Sequence, residues 1–175
     1  MLAYSPSNGA TVRDGRRFGR LGAGLRHRLV RLYWAAFQPK SLGVRAIVSD
    51  DAGNVLLVRH TYDTMWYLPG GGVSRRESAQ AAIVRELREE IGLETPAISR
   101  ILGVYHSLAE RKSDHVVVMV VDISGIQMAR LSVADRREIA EIAVVPAEAL
   151  PDGTSPATRR RIGEYLSGAQ VVGPW

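Results

Sequence analysis

Residues 71–93 place a group of carboxylates on one predicted helix, directly after a run of glycines. Glu86, Glu89 and Glu90 fall at positions i, i+3 and i+4 of that helix. With Ile83 set to 0° and about 100° per residue, the three lie near 300°, 240° and 340°. An apolar stripe occupies roughly 0° to 100°, and it consists of Ile83, Val84, Leu87 and Ile91. The pattern predicts a helix that packs on a core and carries acids along the edge of its apolar face.

Three carboxylates this close together repel one another unless a cation lies between them. Hard oxygen donors select Mg²⁺, Mn²⁺ or Ca²⁺. The spacing of Glu86, Glu89 and Glu90 therefore predicts a divalent metal site.

The same segment resembles the signature of the Nudix hydrolases. That signature is a glycine, five residues, a glutamate, seven residues and then Arg-Glu-aliphatic-any-Glu-Glu-any-Gly-aliphatic. Every constrained position is filled in this chain, and the lead-in Trp-x-Leu-Pro-Gly-Gly at residues 66–71 also matches. The matching residues are Gly71, Glu77, Arg85, Glu86, Leu87, Glu89, Glu90, Gly92 and Leu93. We call residues 71–93 the acidic signature.

The resemblance implies an α/β protein with the Nudix fold, an α/β/α sandwich around a mixed β-sheet, over about residues 43–150. It implies a pyrophosphohydrolase that depends on Mg²⁺ or Mn²⁺. Such an enzyme cleaves the phosphoanhydride of a nucleoside diphosphate linked to another moiety, by attack of water on phosphorus. Glu86, Glu89 and Glu90 are then the metal ligands, with Gly71 contributing from the loop, and Arg85 orients a ligand by pairing with Glu89 at i, i+4.

Three alternatives stay open. The chain could hydrolyse dinucleoside polyphosphates, or diphosphoinositol polyphosphates, or be a non-catalytic module that senses a nucleotide. The resemblance leaves the small-molecule nucleotide or polyphosphate substrate unnamed. It is compatible with a homodimer, because dimers are common in the family.

The general base and the role of Glu77 are less constrained. Hydrolysis needs a group that takes a proton from water, and in the family this is often a glutamate beyond the signature. We prefer Glu138, with Glu141 or a signature glutamate such as Glu86 as competitors. Glu77 either forms a capping box with Ser74 at the start of the helix, which we prefer, or holds the loop by pairing with a cation.

Candidate substrate contacts come from outside the helix. Arg45 and Arg59 lie on predicted strands and can reach phosphates, and Trp66 can stack on a base. Glycine backbone can approach phosphate without a Cβ in the way. The candidate substrate-binding residues are Arg45, Arg59, Trp66, Gly71, Gly72 and Arg111.

The hydrophobic pattern predicts the order of elements along the chain. A strand over 43–49 and a strand over 54–60 are joined by a hairpin turn at 50–53. The carboxylate helix spans 77–91 and stops at Gly92. Strands over 97–106, 115–123 and 138–145 follow, and a helix over 156–166 closes the domain.

The net positive charge of the chain comes from its N-terminal part. Residues 1–40 carry eight cationic side chains and one acid, so their net charge is +7, while the whole chain has +5. We expect a flexible basic arm over 1–20, a helical extension over 21–40 and the hydrolase domain over 41–175. The extension predicts either a solvated basic helix face or a surface that contacts RNA or anionic membrane.

The chain has no cysteine, which argues against disulfides and thiolate zinc sites and fits a reducing cytoplasm. No apolar run approaches the roughly 18 residues that a membrane span requires. We therefore expect a cytoplasmic protein.

Overall fold

A computed structural model describes residues 40–107 and 113–175. The predicted basic arm, nearly all of the predicted helical extension, and Arg111 lie outside the described residues.

Six strands form one mixed sheet in the order β5-β2-β1-β4-β3-β6. The pairs β1–β2, β2–β5 and β3–β4 are antiparallel, and β1–β4 and β3–β6 are parallel. The strand bounds are β1 Lys40–Asp50, β2 Asn54–His60, β3 Ile98–Ser107, β4 Ser113–Ile123, β5 Ile139–Pro146 and β6 Val171–Pro174.

Side chains alternate along the strands and build a core on each face of the sheet. The first core joins Val44, Ala46 and Val48 of β1 to helix α1, Ala79–Ile91. The short helix α2, Gly125–Met128, adds Met128 to the same core. The second core, on the opposite face, includes Ile47, Tyr105 and Ile162 of helix α3, Pro156–Leu166. Helices therefore cover both faces, which confirms the predicted α/β/α sandwich. None of these described helices is long and apolar enough to cross a membrane.

Residues 66–73 enter the sheet as a wedge between β1 and β2. The two strands pair at Ser49 and Val55 next to their hairpin and then diverge. On one side the Val44 and Ala46 N–H groups donate to Gly71 O and Pro69 O, each at 2.9 Å. On the other side Val58 and Tyr67 exchange two backbone hydrogen bonds, each of 2.9 Å. The glycine loop, Gly70–Gly72, is thereby held against the sheet rather than free in solvent.

The predicted start of the carboxylate helix was wrong by about half a turn. Helix α1 begins at Ala79 with Ser78 as its N-cap, whose hydroxyl accepts from Ala81 N. Ser74 is not the cap; its own backbone N–H donates to the Glu77 carboxylate at 2.8 Å. The predicted end is confirmed, because Gly92 adopts a left-handed φ of 73° and its N–H returns to Arg88 O.

Two elements were missed, and the closing helix was found where it was predicted. Helix α2 has only four residues and is closed by a capping box between Ser124 and Gln127. Strand β6, Val171–Pro174, follows the predicted last strand along the chain. It pairs with β3, at the opposite edge of the sheet from β5. Such short elements carry too few residues to show a period.

Candidate active site

The three clustered glutamates of α1 are buried to different degrees, in the order of their distance from the apolar stripe. Glu90, nearest the stripe on the helical wheel, is 2% exposed. The side chain of Glu86 is 12% exposed, and that of Glu89, farthest from the stripe, is 50% exposed. One helix thus presents carboxylates from the protein interior to the solvent edge.

Glu90 is a buried side chain whose carboxyl group has few interactions to offset the cost of its burial. Its Oε2 accepts a hydrogen bond from Gly70 N at 2.8 Å, which ties the helix to the glycine loop. Burial raises the pKa of Glu90 to about 8, although that hydrogen bond and the charge of Arg45 oppose the rise. Glu86 and Glu138 lie near enough to raise it further. A cation at this position would relieve both the burial and the repulsion.

Arg85 connects the loop to the helix through a fork of hydrogen bonds. Its Nε and Nη2 donate to the two oxygens of Glu77 at 2.9 and 3.0 Å, and Nη2 also donates to Gly72 O at 3.0 Å. Its Nη1 donates to Glu86 at 2.8 Å and to Glu89 at 3.2 Å. These carboxylates raise the pKa of Arg85. In return the Arg85 guanidinium, with help from the Ser74 N–H, lowers the pKa of Glu77 to about 2. Glu77 therefore pairs with a cation. The preferred role, a capping box with Ser74 as the N-cap, is met only by the Ser74 N–H that donates to the Glu77 carboxylate, because the N-cap is Ser78.

Two of the three loop glycines have no room for a side chain. Gly70 has φ of +130°, and a Cβ there would collide with the Val44 carbonyl oxygen. A Cβ on Gly71 would lie 2.6 Å from Cδ of Glu86. A Cβ on Gly72 would meet nothing within 4 Å, so packing gives no reason for glycine at that position.

The end of β2 and the start of β5 bring two further groups to Glu90. Donor atoms of His60, Glu90 and Glu138 lie within 4.8 Å of one another. The strands are held together there by Thr61 N, which donates to Glu138 O at 2.8 Å. The structure therefore places Glu138, the preferred candidate base, beside the carboxylates of α1.

Arg45 lies close enough to this group to affect its protonation. Its charge lowers the pKa of His60 and of Glu90. Its Nη1 is buried and has no hydrogen-bond partner among residues 40–107 and 113–175. An unused guanidinium donor next to carboxylates is suited to an anionic ligand bound together with a cation.

Arg59, Glu141 and Trp66 form a separate group. Arg59 pairs with Glu141, its register partner on β5, and its guanidinium lies 5.3 Å from the Trp66 ring centroid. Trp66 packs against the second core. Glu141, the competing candidate base, is thus engaged by Arg59.

Sequence reasoning missed His60. It is 7% exposed, and its ring stacks on Tyr62 with 5.0 Å between centroids. Burial, aided by the charge of Arg45, lowers its pKa. The sequence holds a signal only in hindsight: a histidine ends the mostly apolar strand NVLLVRH, which precedes the glycine loop in the chain.

A protein-family model described as the NUDIX domain matches residues 39–166. A protein of Bacillus subtilis (strain 168), named "Putative 8-oxo-dGTP diphosphatase", is 35% identical over 130 residues, which are 74% of this chain and 83% of that protein. An "RNA pyrophosphohydrolase" of Ectopseudomonas mendocina (strain ymp) is 45% identical, but only over 51 residues, 29% of this chain and 32% of that protein.

A solved structure shares the fold. The MutT protein from Methanosarcina mazei Go1 superimposes with a TM-score of 0.59 and is 26% identical, covering 75% of this chain and 95% of that one. Residues 39–166, which the family model matches, contain strands β1 to β5, the glycine loop and helix α1.

Proposed function

The chain belongs to the Nudix family and is a hydrolase of phosphoanhydrides, and from this premise we propose that it is a divalent-metal-dependent nucleoside triphosphate pyrophosphohydrolase. A nucleoside triphosphate is a nucleoside diphosphate linked to one further phosphate group. The products are a nucleoside monophosphate and pyrophosphate. The Bacillus subtilis relative has a name that gives a nucleoside triphosphate as its substrate. This name supports a nucleoside triphosphate over other linked moieties as the substrate of this chain.

One observation carries the proposal: a 2%-exposed carboxylate, Glu90, lies beside Glu86 and Glu138 and next to a glycine loop. Glu90 is buried, whereas Glu86 is half-buried and Glu138 is exposed. A buried carboxylate beside two others is costly unless a cation lies between them. Gly71 O already accepts from Val44 N and has a second lone pair to offer. The residues therefore fit a divalent ion bound by Glu86, Glu89, Glu90 and Gly71 O.

A bound Mg²⁺ or Mn²⁺ neutralises phosphate charge and acidifies water. Arg85 keeps Glu86 and Glu89 in place through hydrogen bonds of 2.8 and 3.2 Å. Arg45 offers its unpaired Nη1 to a phosphate oxygen. Arg59, Trp66, Gly72 and Arg111 remain candidates for further substrate contacts.

Glu138 acts as the general base in this proposal. It takes one proton from the attacking water as the water oxygen forms a bond to phosphorus. The bond between that phosphorus and the bridging oxygen breaks, and the bridging oxygen leaves with the departing phosphate group. Atoms and charge balance with water as the only co-reactant.

The test is a product screen with purified protein and either Mg²⁺ or Mn²⁺. The panel holds canonical and oxidised nucleoside triphosphates, nucleotide sugars, ADP-ribose, dinucleoside polyphosphates, diphosphoinositol polyphosphates and 5′-triphosphorylated RNA. We expect the highest kcat/KM on a nucleoside triphosphate, with pyrophosphate as product. Reaction in ¹⁸O-water locates the attack, because the label appears in the monophosphate or in the pyrophosphate.

Release of orthophosphate in place of pyrophosphate, or a higher kcat/KM on any other substrate class, would contradict the proposed substrate. Binding of nucleotides without turnover across the panel would contradict catalysis and favour the sensing module.

A further inference from the structure

His60 is a buried imidazole with an unused nitrogen. The ring lies between Tyr62 and Tyr67, with centroid distances of 5.0 and 5.7 Å. Its Nδ1 is buried and has no hydrogen-bond partner in the described part of the chain. A buried polar atom without a partner costs about 1–3 kcal/mol, so such an atom calls for a ligand.

The unused nitrogen belongs to a side chain that is grouped with two carboxylates. One donor atom each from His60, Glu90 and Glu138 lies within 4.8 Å of the other two. Donors on opposite sides of a small divalent ion lie about 4.2 Å apart at metal–ligand distances of about 2.1 Å. The separation of at most 4.8 Å is thus close to the span of donors around one ion.

Three different elements supply the group. His60 ends β2, Glu138 precedes β5, and Glu90 lies in the last turn of α1. A register shift between Arg59 and His60 makes His60 pair with Ile139 while Arg59 pairs with Glu141. This shift falls where His60 and Glu138 come together with Glu90.

The local charges also favour a cation. Glu90 and Glu138 together contribute two negative charges when ionised, and Arg45 is the cation whose charge acts on both His60 and Glu90.

We propose that His60, Glu90 and Glu138 form a cation position with one nitrogen and two oxygen donors, which takes a first-row transition metal such as Mn²⁺ in preference to Mg²⁺. It shares Glu90 with the all-oxygen position of Glu86, Glu89 and Gly71 O. A cation bound there occupies Glu138, so Glu138 acts as the general base only while this position is empty. Imidazole nitrogen is a better donor for transition metals than for Mg²⁺. The inference rests on the proposed function only for its biological use, because the position can be measured without a nucleotide.

The test is pulsed electron paramagnetic resonance of the Mn²⁺-loaded, nucleotide-free protein. A directly bound imidazole nitrogen gives a ¹⁴N coupling, and labelling with ¹⁵N-histidine must change it. His60→Phe keeps the ring stacking and removes both nitrogens. His106→Phe is the matched control, because His106 is an exposed histidine on β3.

We expect the coupling in the wild-type protein and in His106→Phe, and its loss in His60→Phe. We also expect the Mn²⁺ dissociation constant of His60→Phe to rise at least about tenfold, with Mg²⁺ affinity at the all-oxygen position unchanged. No ¹⁴N coupling in the wild-type protein would overturn the proposal whatever the folding of the variant. A coupling that persists in folded His60→Phe would do the same.

The failures of the two proposals are distinguishable. Mn²⁺ bound through nitrogen in a protein that hydrolyses no nucleoside triphosphate would leave the cation position and remove the proposed function. Turnover of nucleoside triphosphates without nitrogen coordination of Mn²⁺ would leave the proposed function and remove the cation position.

Discussion

Glu90 and Gly70 are joined by a hydrogen bond of 2.8 Å from the glycine N–H to the buried carboxylate. This contact links the helix that carries the acids to the loop that faces them. It leaves the second oxygen of Glu90 available to a cation. The carboxylate is thus positioned before any ligand arrives, and the fold bears the cost of burying it.

The first prediction concerns the stability of Glu90→Gln in metal-free buffer. Burial raises the pKa of Glu90 in the folded state from the ordinary glutamate value of 4.5 to about 8. The folded state therefore binds the proton more tightly, and this stability, complete below pH 4.5, is lost as the pH rises through about 8. Because Gln cannot ionise, the variant does not lose this stability as the pH rises. Its free energy of unfolding should exceed that of the wild-type protein at pH 9 by on the order of a few kcal/mol.

Urea unfolding of both proteins at pH 5, 7 and 9 measures the difference. A difference that does not grow between pH 5 and pH 9 would contradict the raised pKa. Activity of Glu90→Gln with metal should be lower at every pH.

Glu89→Gln separates catalysis from stability. The Glu89 side chain is half exposed and bonds only weakly to Arg85, at 3.2 Å. Its loss should change the free energy of unfolding by less than about 0.5 kcal/mol while lowering kcat by at least about 100-fold through loss of a metal ligand. Glu94→Gln, an exposed carboxylate just beyond the helix, is the control and should keep wild-type kinetics. Near-normal turnover in Glu89→Gln would remove Glu89 from the metal site.

Two alanine substitutions in the glycine loop should differ sharply. In Gly71→Ala the new methyl group would lie 2.6 Å from Cδ of Glu86, so the carboxylate must move. In Gly72→Ala the methyl group meets nothing within 4 Å. We expect Gly71→Ala to raise the Mn²⁺ activation constant by about tenfold or more and Gly72→Ala to leave it unchanged, both measured by steady-state kinetics. Equal effects would show that Glu86 does not depend on the loop backbone.

The general base is tested by comparing Glu138→Gln with Glu141→Gln. Glu138 lies within 4.8 Å of Glu90, whereas the Glu141 carboxylate is paired with Arg59. General base catalysis contributes typically 10²–10⁴-fold, so we expect about that loss of kcat in Glu138→Gln. Its pH–rate profile should also lose the acid limb. Glu141→Gln should keep the profile of the wild-type enzyme. The opposite ranking would move the assignment to Glu141.

The sequence was informative where local geometry decides the outcome. The helical wheel places Glu90 next to Ile83 and Glu89 farthest from the apolar stripe, and the burial of the two follows that order. Helix termination at Gly92 follows from its freedom to adopt a left-handed φ of 73°. Both properties depend on residues less than two turns apart.

Features that depend on long-range register were not predictable in the same way. His60 lies beside Glu90 at a bulge in the β2–β5 pairing. No local sequence pattern predicts that bulge. The helix start was misplaced because Ser74 and Glu77 match the capping-box pattern S-x-x-E. In the structure the N-cap is Ser78, and Glu77 pairs with Arg85. Strand β6 exists because β3 offers it an edge.

The wedge of residues 66–73 ties the site to the whole sheet. The amides of Val44 and Ala46 close the sheet only through Gly71 O and Pro69 O, so the loop cannot open by itself without exposing strand backbone to solvent. We expect the free energy of local opening there to approach that of global unfolding. Hydrogen exchange at these two amides should therefore be among the slowest in the chain, and heat should abolish activity and tertiary structure in one transition.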